Sequence, residues 1–181
     1  EGHLRVFWRK WRELMEALQA RLDSPSPGGM RCLALVKLDR FAAVERDVGA
    51  TASEDVLMGI AALLKETLYP NEIVGRFGGV KFLALLERGN ENDIQAWAKQ
   101  LLARVQKHAL RVNDKAVAVT CTVGLSIVPP SSPKLDAVVA DVIEACANGV
   151  KQGGNRIVSS GRADVENRVQ AYDQPWVKHI K

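Results

Sequence analysis

Leu4, Phe7, Trp8, Trp11, Leu14, Met15, Leu18 and Leu22 recur at steps of three and four. That is the period of a helix with one apolar face, and it predicts a helix over 4–22. "DSPSPGG" (23–29) ends the period with turn-forming residues. "MRCLALVKL" (30–38) is apolar almost throughout, as a strand covered on both faces must be. A short helix is expected over 40–47. The helical period returns over 51–68, with Val56, Leu57, Ile60, Leu63, Leu64 and Leu68 on its inner face. Thr51 and Glu54 have the spacing of a capping box at its start. "GRFGGVKF" (75–82) then joins two apolar runs through two glycines. This is the signal of a hairpin, with strands over 72–77 and 80–86.

In the second half, Ile94, Trp97, Leu101, Leu102 and Val105 predict a helix over 90–110. "AVAVTCTVGLSIV" predicts one long strand over 116–128, stopped by Pro129 and Pro130. "KLDAVVADVIEACANGVKQ" predicts a helix over 134–152, and Gly153 and Gly154 suit its end. "NRIVS" (155–159) reads as a last strand. Asp173, Pro175, Trp176 and Ile180 begin a further helix, which points to a following domain. Strands interleaved with helices around one hairpin imply an α+β fold, with about five strands in a mixed sheet, a central β-hairpin and flanking helices. The chain divides into a helix and loop over 1–29, a domain over 30–160, and a linker over 161–181.

Composition narrows the function. Apolar residues make up 47% and charged residues 25%, which suits a globular domain and not a disordered segment. Net charge is +4 with the basic residues dispersed, and no basic–aromatic interleaving points to nucleic acid. No apolar run is long enough to span a membrane. Cys32, Cys121 and Cys146 all sit in apolar stretches without a CxxC, so they read as reduced core residues of a cytoplasmic protein. His3, His108 and His179 have no metal-ligand spacing. The first residue is not Met, and the chain reads as a piece of a longer protein.

Three stretches in order carry a family resemblance: "LALVKLDRF" (33–41), "GRFGGVKFLALL" (75–86) and "KQGGNRI" (151–157). Together they resemble the GGDEF domain, the diguanylate cyclase module of bacterial cyclic di-GMP signalling, over about Met30 to Ser159. The resemblance implies a nucleotide-cyclase fold with a ferredoxin-like core. It implies an activity in which two domains face each other and condense two GTP molecules with the help of divalent metal. The Gly-Gly form of the closing motif implies a following EAL phosphodiesterase domain, and the N-terminal helix an upstream sensory domain. Trp8 and Trp11 on that helix read equally as core residues or as a dimer surface.

The resemblance also shows departures. The family's first-strand metal aspartate falls on Lys37, while the second aspartate is kept as Asp39. In the signature Gly78, Gly79, Val80, Lys81 and Phe82, the two acidic positions are Val80 and Lys81, the second being a metal ligand in the family. Two carboxylates that would hold magnesium are therefore ammonium groups. The guanine-reading asparagine and aspartate match Glu45 and Glu54, the family's histidine and glycine match Ala50 and Ser53, and its late lysine maps to Val150 or Lys151. The product-inhibition Arg-x-x-Asp would lie at Tyr69 to Glu72, where "YPNE" lacks the arginine. The expectation is a degenerate domain with no catalytic residues and with magnesium and GTP binding lost or weakened. Its role would be regulatory or scaffolding beside the EAL domain. Alternatives are a module that binds GTP without turnover and an atypical active cyclase. Lys37 and Lys81 read as solvated lysines or as direct holders of phosphate. Asp39 reads as a vestige of the site or as the cap of the next helix.

Overall fold

The computed structural model describes residues 11–160 apart from 25, 27, 109, 113 and 131–133. Trp8 and the expected helix after residue 172 lie outside these. The helices are α1 (Trp11–Asp23), α2 (Phe41–Val48), α3 (Ala50–Glu66), α4 (Glu91–Lys107) and α5 (Leu135–Lys151). The strands are β1 (Met30–Leu38), β2 (Ile73–Arg76), β3 (Lys81–Arg88), β4 (Leu110–Val112), β5 (Lys115–Val117), β6 (Cys121–Ile127) and β7 (Ile157–Ser159). Five of the strands form one sheet in the order β2-β3-β1-β6-β7. β1 is antiparallel to β3 and β6, and β6 is parallel to β7. The β2–β3 hairpin is central in the chain, but in the sheet it forms one side, and the apolar run of β1 takes the middle.

Successive side chains of a strand point to opposite faces, so β1 serves two cores. Cys32, Ala34, Val36 and Leu38 pack with Val56, Ile60 and Leu64 of α3 and Ile94, Trp97 and Leu101 of α4. Leu33 and Leu35 pack with Leu14, Leu18 and Leu22 of α1 and with Val138, Val142 and Cys146 of α5. The result is a sheet between two helical layers, which is why its middle strand lacks the polar alternation of a half-exposed one.

Three local expectations change. Helix α4 ends at Lys107 rather than 110, and residues 110–117 form a separate hairpin with Asp114 at positive φ in its turn. The long strand expected over 116–128 is thus divided between β5 and β6. The alternation of "AVAVTCTV" continues across that division and hides it. The capping box does not form either. Gly49, at φ 85, stands at the N-cap of α3 with no side-chain cap, and its N–H closes α2 on the Glu45 carbonyl at 2.8 Å. A single glycine turns the chain between the two helices, so Thr51 falls inside the first turn. The close of α5 is as expected. Gly154 N–H donates to Gly149 O at 3.0 Å and Gly153 N–H to Val150 O at 3.1 Å, the paired bonds of a Schellman stop.

Candidate functional site

The C-terminal end of β1, the tip of the β2–β3 hairpin and the turn after α5 meet at one end of the sheet. Register places Lys37 directly opposite Lys81 on β3, and opposite Thr122 on β6. Leu38 N–H donates to Val80 O at 3.1 Å. The adjacent Lys37–Lys81 pair is therefore of the non-hydrogen-bonded type, in which facing Cα atoms are only about 4.5 Å apart. Both lysines follow the parity of Leu35 and Leu83, which puts them on the α5 side of the sheet. Both are half-buried. Beneath them the Cys146 thiol of α5 is pushed up from 9.0 chiefly by burial; the charges of Lys37 and Lys81 pull it back and Asp39 adds a smaller upward push.

Asp39 has a different surrounding. Its Oδ1 accepts from the Thr122 hydroxyl at 2.7 Å; its Oδ2 accepts from the Thr120 hydroxyl at 2.7 Å and from the Asn155 N–H at 2.8 Å. Its own N–H donates to Thr120 O at 2.9 Å. Arg40, and not Asp39, stands at the N-cap of α2, and no side-chain bond caps that helix. The expectation of a helix cap is thus replaced by a carboxylate that ties β1 to β6 and to the turn before β7. Sequence reasoning missed Thr120, Thr122 and Asn155. They lie 81, 83 and 116 residues from Asp39, so no local signal joins them to it.

The signature turns on Gly78 and Gly79, at φ 94 and 51, and Phe77 N–H closes it on Lys81 O at 2.8 Å. Val80 and Phe82 face away from the lysines, packing in the core under α3 and α4. Arg76 spans the tip, donating through Nε and Nη2 to Gly79 O at 3.0 and 2.8 Å and through Nη1 to Glu54 at 2.7 Å. Glu54 is therefore engaged by an arginine rather than by a helix terminus. The half-exposed Trp11 ring lies 4.7 Å from Phe77, covering the tip from the α1 side.

Other expected site residues are not drawn into this cluster. Glu45 is exposed on α2 and Lys151 is exposed at the end of α5, and no hydrogen bond or ion pair links either to the lysine pair. A shallow cleft of about 300 Å³ opens at the start of α3, between Gly49, Ala50, Thr51, Asp55 and Val112. Ser53 is buried and donates to Ala50 O at 2.9 Å. At "YPNE", Glu72 is buried and accepts two bonds from Arg88, at 2.7 and 2.9 Å, and one from Tyr69 N–H; the Arg88 guanidinium lies 3.9 Å from the Tyr69 ring centre. Among the described residues no group of three His, Cys, Asp or Glu gathers in a way that could hold a metal ion. No helix among them is long and apolar enough to cross a membrane.

Comparison with known proteins bears on the fold and the family. The model of the family "Diguanylate cyclase, GGDEF domain" matches residues 10–156. The diguanylate cyclase DgcZ of Escherichia coli strain K12 is 28% identical over 158 residues, which is 87% of this chain and 53% of that protein. The chain thus spans about half that relative's length, and less of several others. Among solved structures, the diguanylate cyclase SiaD of Pseudomonas aeruginosa, solved with its activator SiaC, superposes with a TM-score of 0.72 at 25% identity, covering 80% of this chain and 57% of that one. The GGDEF domain of FimX from Pseudomonas aeruginosa gives 0.73 at 20% identity, covering 81% and 90%, a likeness of fold alone.

Proposed function

The chain belongs to the GGDEF domain family, and on that premise we propose that it is a member that makes no cyclic di-GMP and serves cyclic di-GMP signalling as a regulatory or scaffolding domain. The observation that carries this reading is the facing pair Lys37 and Lys81. A hard divalent ion asks for carboxylate oxygens at that place. The side chains present are two ammonium groups, which have no lone pair to give. Each would repel a divalent ion by about 8 kcal/mol at 4 Å and an effective dielectric of about 20. Asp39, the nearby carboxylate, already accepts three hydrogen bonds. This donor set does not fit magnesium. Arg76 on Glu54 further occupies the carboxylate that would read guanine. A following EAL domain, an upstream sensory domain, dimerisation through the Trp11 helix and a cytoplasmic location complete the proposal.

The test is incubation of the purified chain with GTP and magnesium, followed by chromatography for cyclic di-GMP. No product is expected, and product formation overturns the reading. The double variant Lys37→Asp with Lys81→Glu is expected to gain magnesium-dependent GTP binding in calorimetry. No gain would show that the lysine pair is not what prevents it.

A further inference from the structure

We propose that Lys37 and Lys81 together form a receptor for the phosphate chain of an oligophosphate that carries no metal. The inference goes beyond the loss of cyclase chemistry, because a site that repels a cation is also a site that attracts an anion. Like charges directly opposite on neighbouring strands are unfavourable, and the non-hydrogen-bonded register brings this pair closer than the alternative register would. Both side chains are half-buried, so water screens them less than it does a surface pair. Neither lysine side chain has a hydrogen bond or ion pair among the described residues. The arginine of the same hairpin is treated differently: Arg76 holds the Glu54 carboxylate. Asp39 is close enough for its charge to be felt at Cys146, as the lysines' charges are. Its oxygens, however, are turned to Thr120, Thr122 and Asn155.

A phosphate group is the anion that suits this pair. It carries more than one negative charge and several strong acceptor oxygens, so one group can meet two ammonium ions at once. Lysine binds phosphate as a point charge and needs no fixed fork geometry, unlike arginine. Magnesium chelated by an oligophosphate neutralises the charge the lysines would meet and brings a cation against them. Binding at this site is therefore weakened by magnesium, which is the reverse of a metal-bridged site.

The experiment is calorimetric titration of the chain with inorganic tripolyphosphate, first in EDTA and then with excess magnesium. Saturable binding is expected in EDTA, weakened by magnesium. Lys37→Gln and Lys81→Gln are each expected to weaken it about tenfold, the size of one good charged contact. Because each substitution relieves a like-charge pair, thermal melting of both variants is expected at or above the parent's, which separates lost binding from lost folding. Absence of saturable binding in EDTA, binding strengthened by magnesium, or equal binding by the double glutamine variant overturns the proposal. Parallel titrations with GTP and ATP identify the source of the phosphate chain. Equal affinity for all three assigns recognition to the phosphates alone, and tighter GTP binding adds a base contact to the same pair. The two readings fail separately: cyclic di-GMP formed with magnesium and GTP strikes the non-cyclising assignment, whereas loss of tripolyphosphate binding in EDTA strikes this one.

Discussion

Removing the Asp39 carboxylate tests what holds the site end of the sheet together. Asp39→Ala deletes the acceptor for the Thr120 and Thr122 hydroxyls and for the Asn155 N–H. The Thr122 residue is fully buried, so water cannot replace its lost partner. Hydrogen bonds to an ionised group are worth about 1.5–3 kcal/mol each by deletion, and neighbouring bonds on one carboxylate are not additive. Asp39 is half-buried and Asn155 is exposed, so water recovers part of that bond. The expected loss for Asp39→Ala is about 3 kcal/mol. Asp39→Asn keeps one oxygen for the Thr120 and Asn155 donors and turns its amide toward Thr122, whose hydroxyl can rotate to accept. Its expected loss is about 1 kcal/mol. Urea unfolding followed by circular dichroism measures both, with an unchanged slope showing that the unfolded state is the same. The asparagine variant carries the discrimination. If Asp39 merely capped α2, asparagine would serve equally well and the change would be neutral. The reasoning is refuted if alanine and asparagine both fall within about 0.5 kcal/mol of the parent, the usual range of an ordinary surface change.

Two further outcomes follow from how the sheet is packed on its two faces. A Cβ on Gly124 would lie 2.7 Å from Cys146 N and 2.8 Å from Val142 O, both backbone atoms of α5, so Gly124→Ala is expected to cost about 2–3 kcal/mol and to lower Tm by roughly 5–10 °C; an unchanged Tm would mean that α5 does not rest on β6 this closely. Burial pushes the Cys32 and Cys121 thiols up to about 12 from 9.0, with Asp39 adding a smaller share at Cys121, so between those values they stay protonated in the fold while they ionise in the unfolded chain. Stability therefore falls as pH rises through that window, by about 1.4 kcal/mol per pH unit for each thiol; urea unfolding from pH 9 to 10 checks it, and an equal slope in the Cys32→Ala, Cys121→Ala chain would refute it.

The chain's elements were legible wherever burial repeats at a regular spacing. β1 spans the same residues that its apolar run predicts, and α5 ends where Gly153 and Gly154 stop it. The reading failed where two local signals compete over a few residues. The alternation from Ala116 to Val123 is uninterrupted, so nothing in the pattern marks the passage from β5 to β6. Thr51 and Glu54 have capping-box spacing, but Gly49 begins the helix earlier and Arg76 claims the glutamate. Partners across the sheet were beyond reach for a plainer reason. Register between β1 and β3 decides that Lys37 faces Lys81, and register follows from turn geometry and packing rather than from either lysine. The resemblance already put both lysines at one metal site; that they face each other on neighbouring strands is a property of the fold.

The hydrogen bonds of Asp39 make the site end of the sheet independent of the side chains at positions 37 and 81. The strand ends are joined by Asp39 to Thr120, Thr122 and Asn155, by Arg76 to Gly79 O and Glu54, and by the backbone ladder around Lys37. None of these ties uses the Lys37 or Lys81 side chain. A substitution there changes what the site attracts without removing a bond that the sheet needs. The cost that remains is the mutual repulsion of two half-buried ammonium groups, since like charges directly opposite on neighbouring strands are unfavourable. An anion seated between the lysines offsets this repulsion in the folded state alone, because the unfolded chain does not hold the two together. On the proposed reading, ligand binding and fold stability are coupled at this pair, and an anion held by both lysines would raise the stability of the domain.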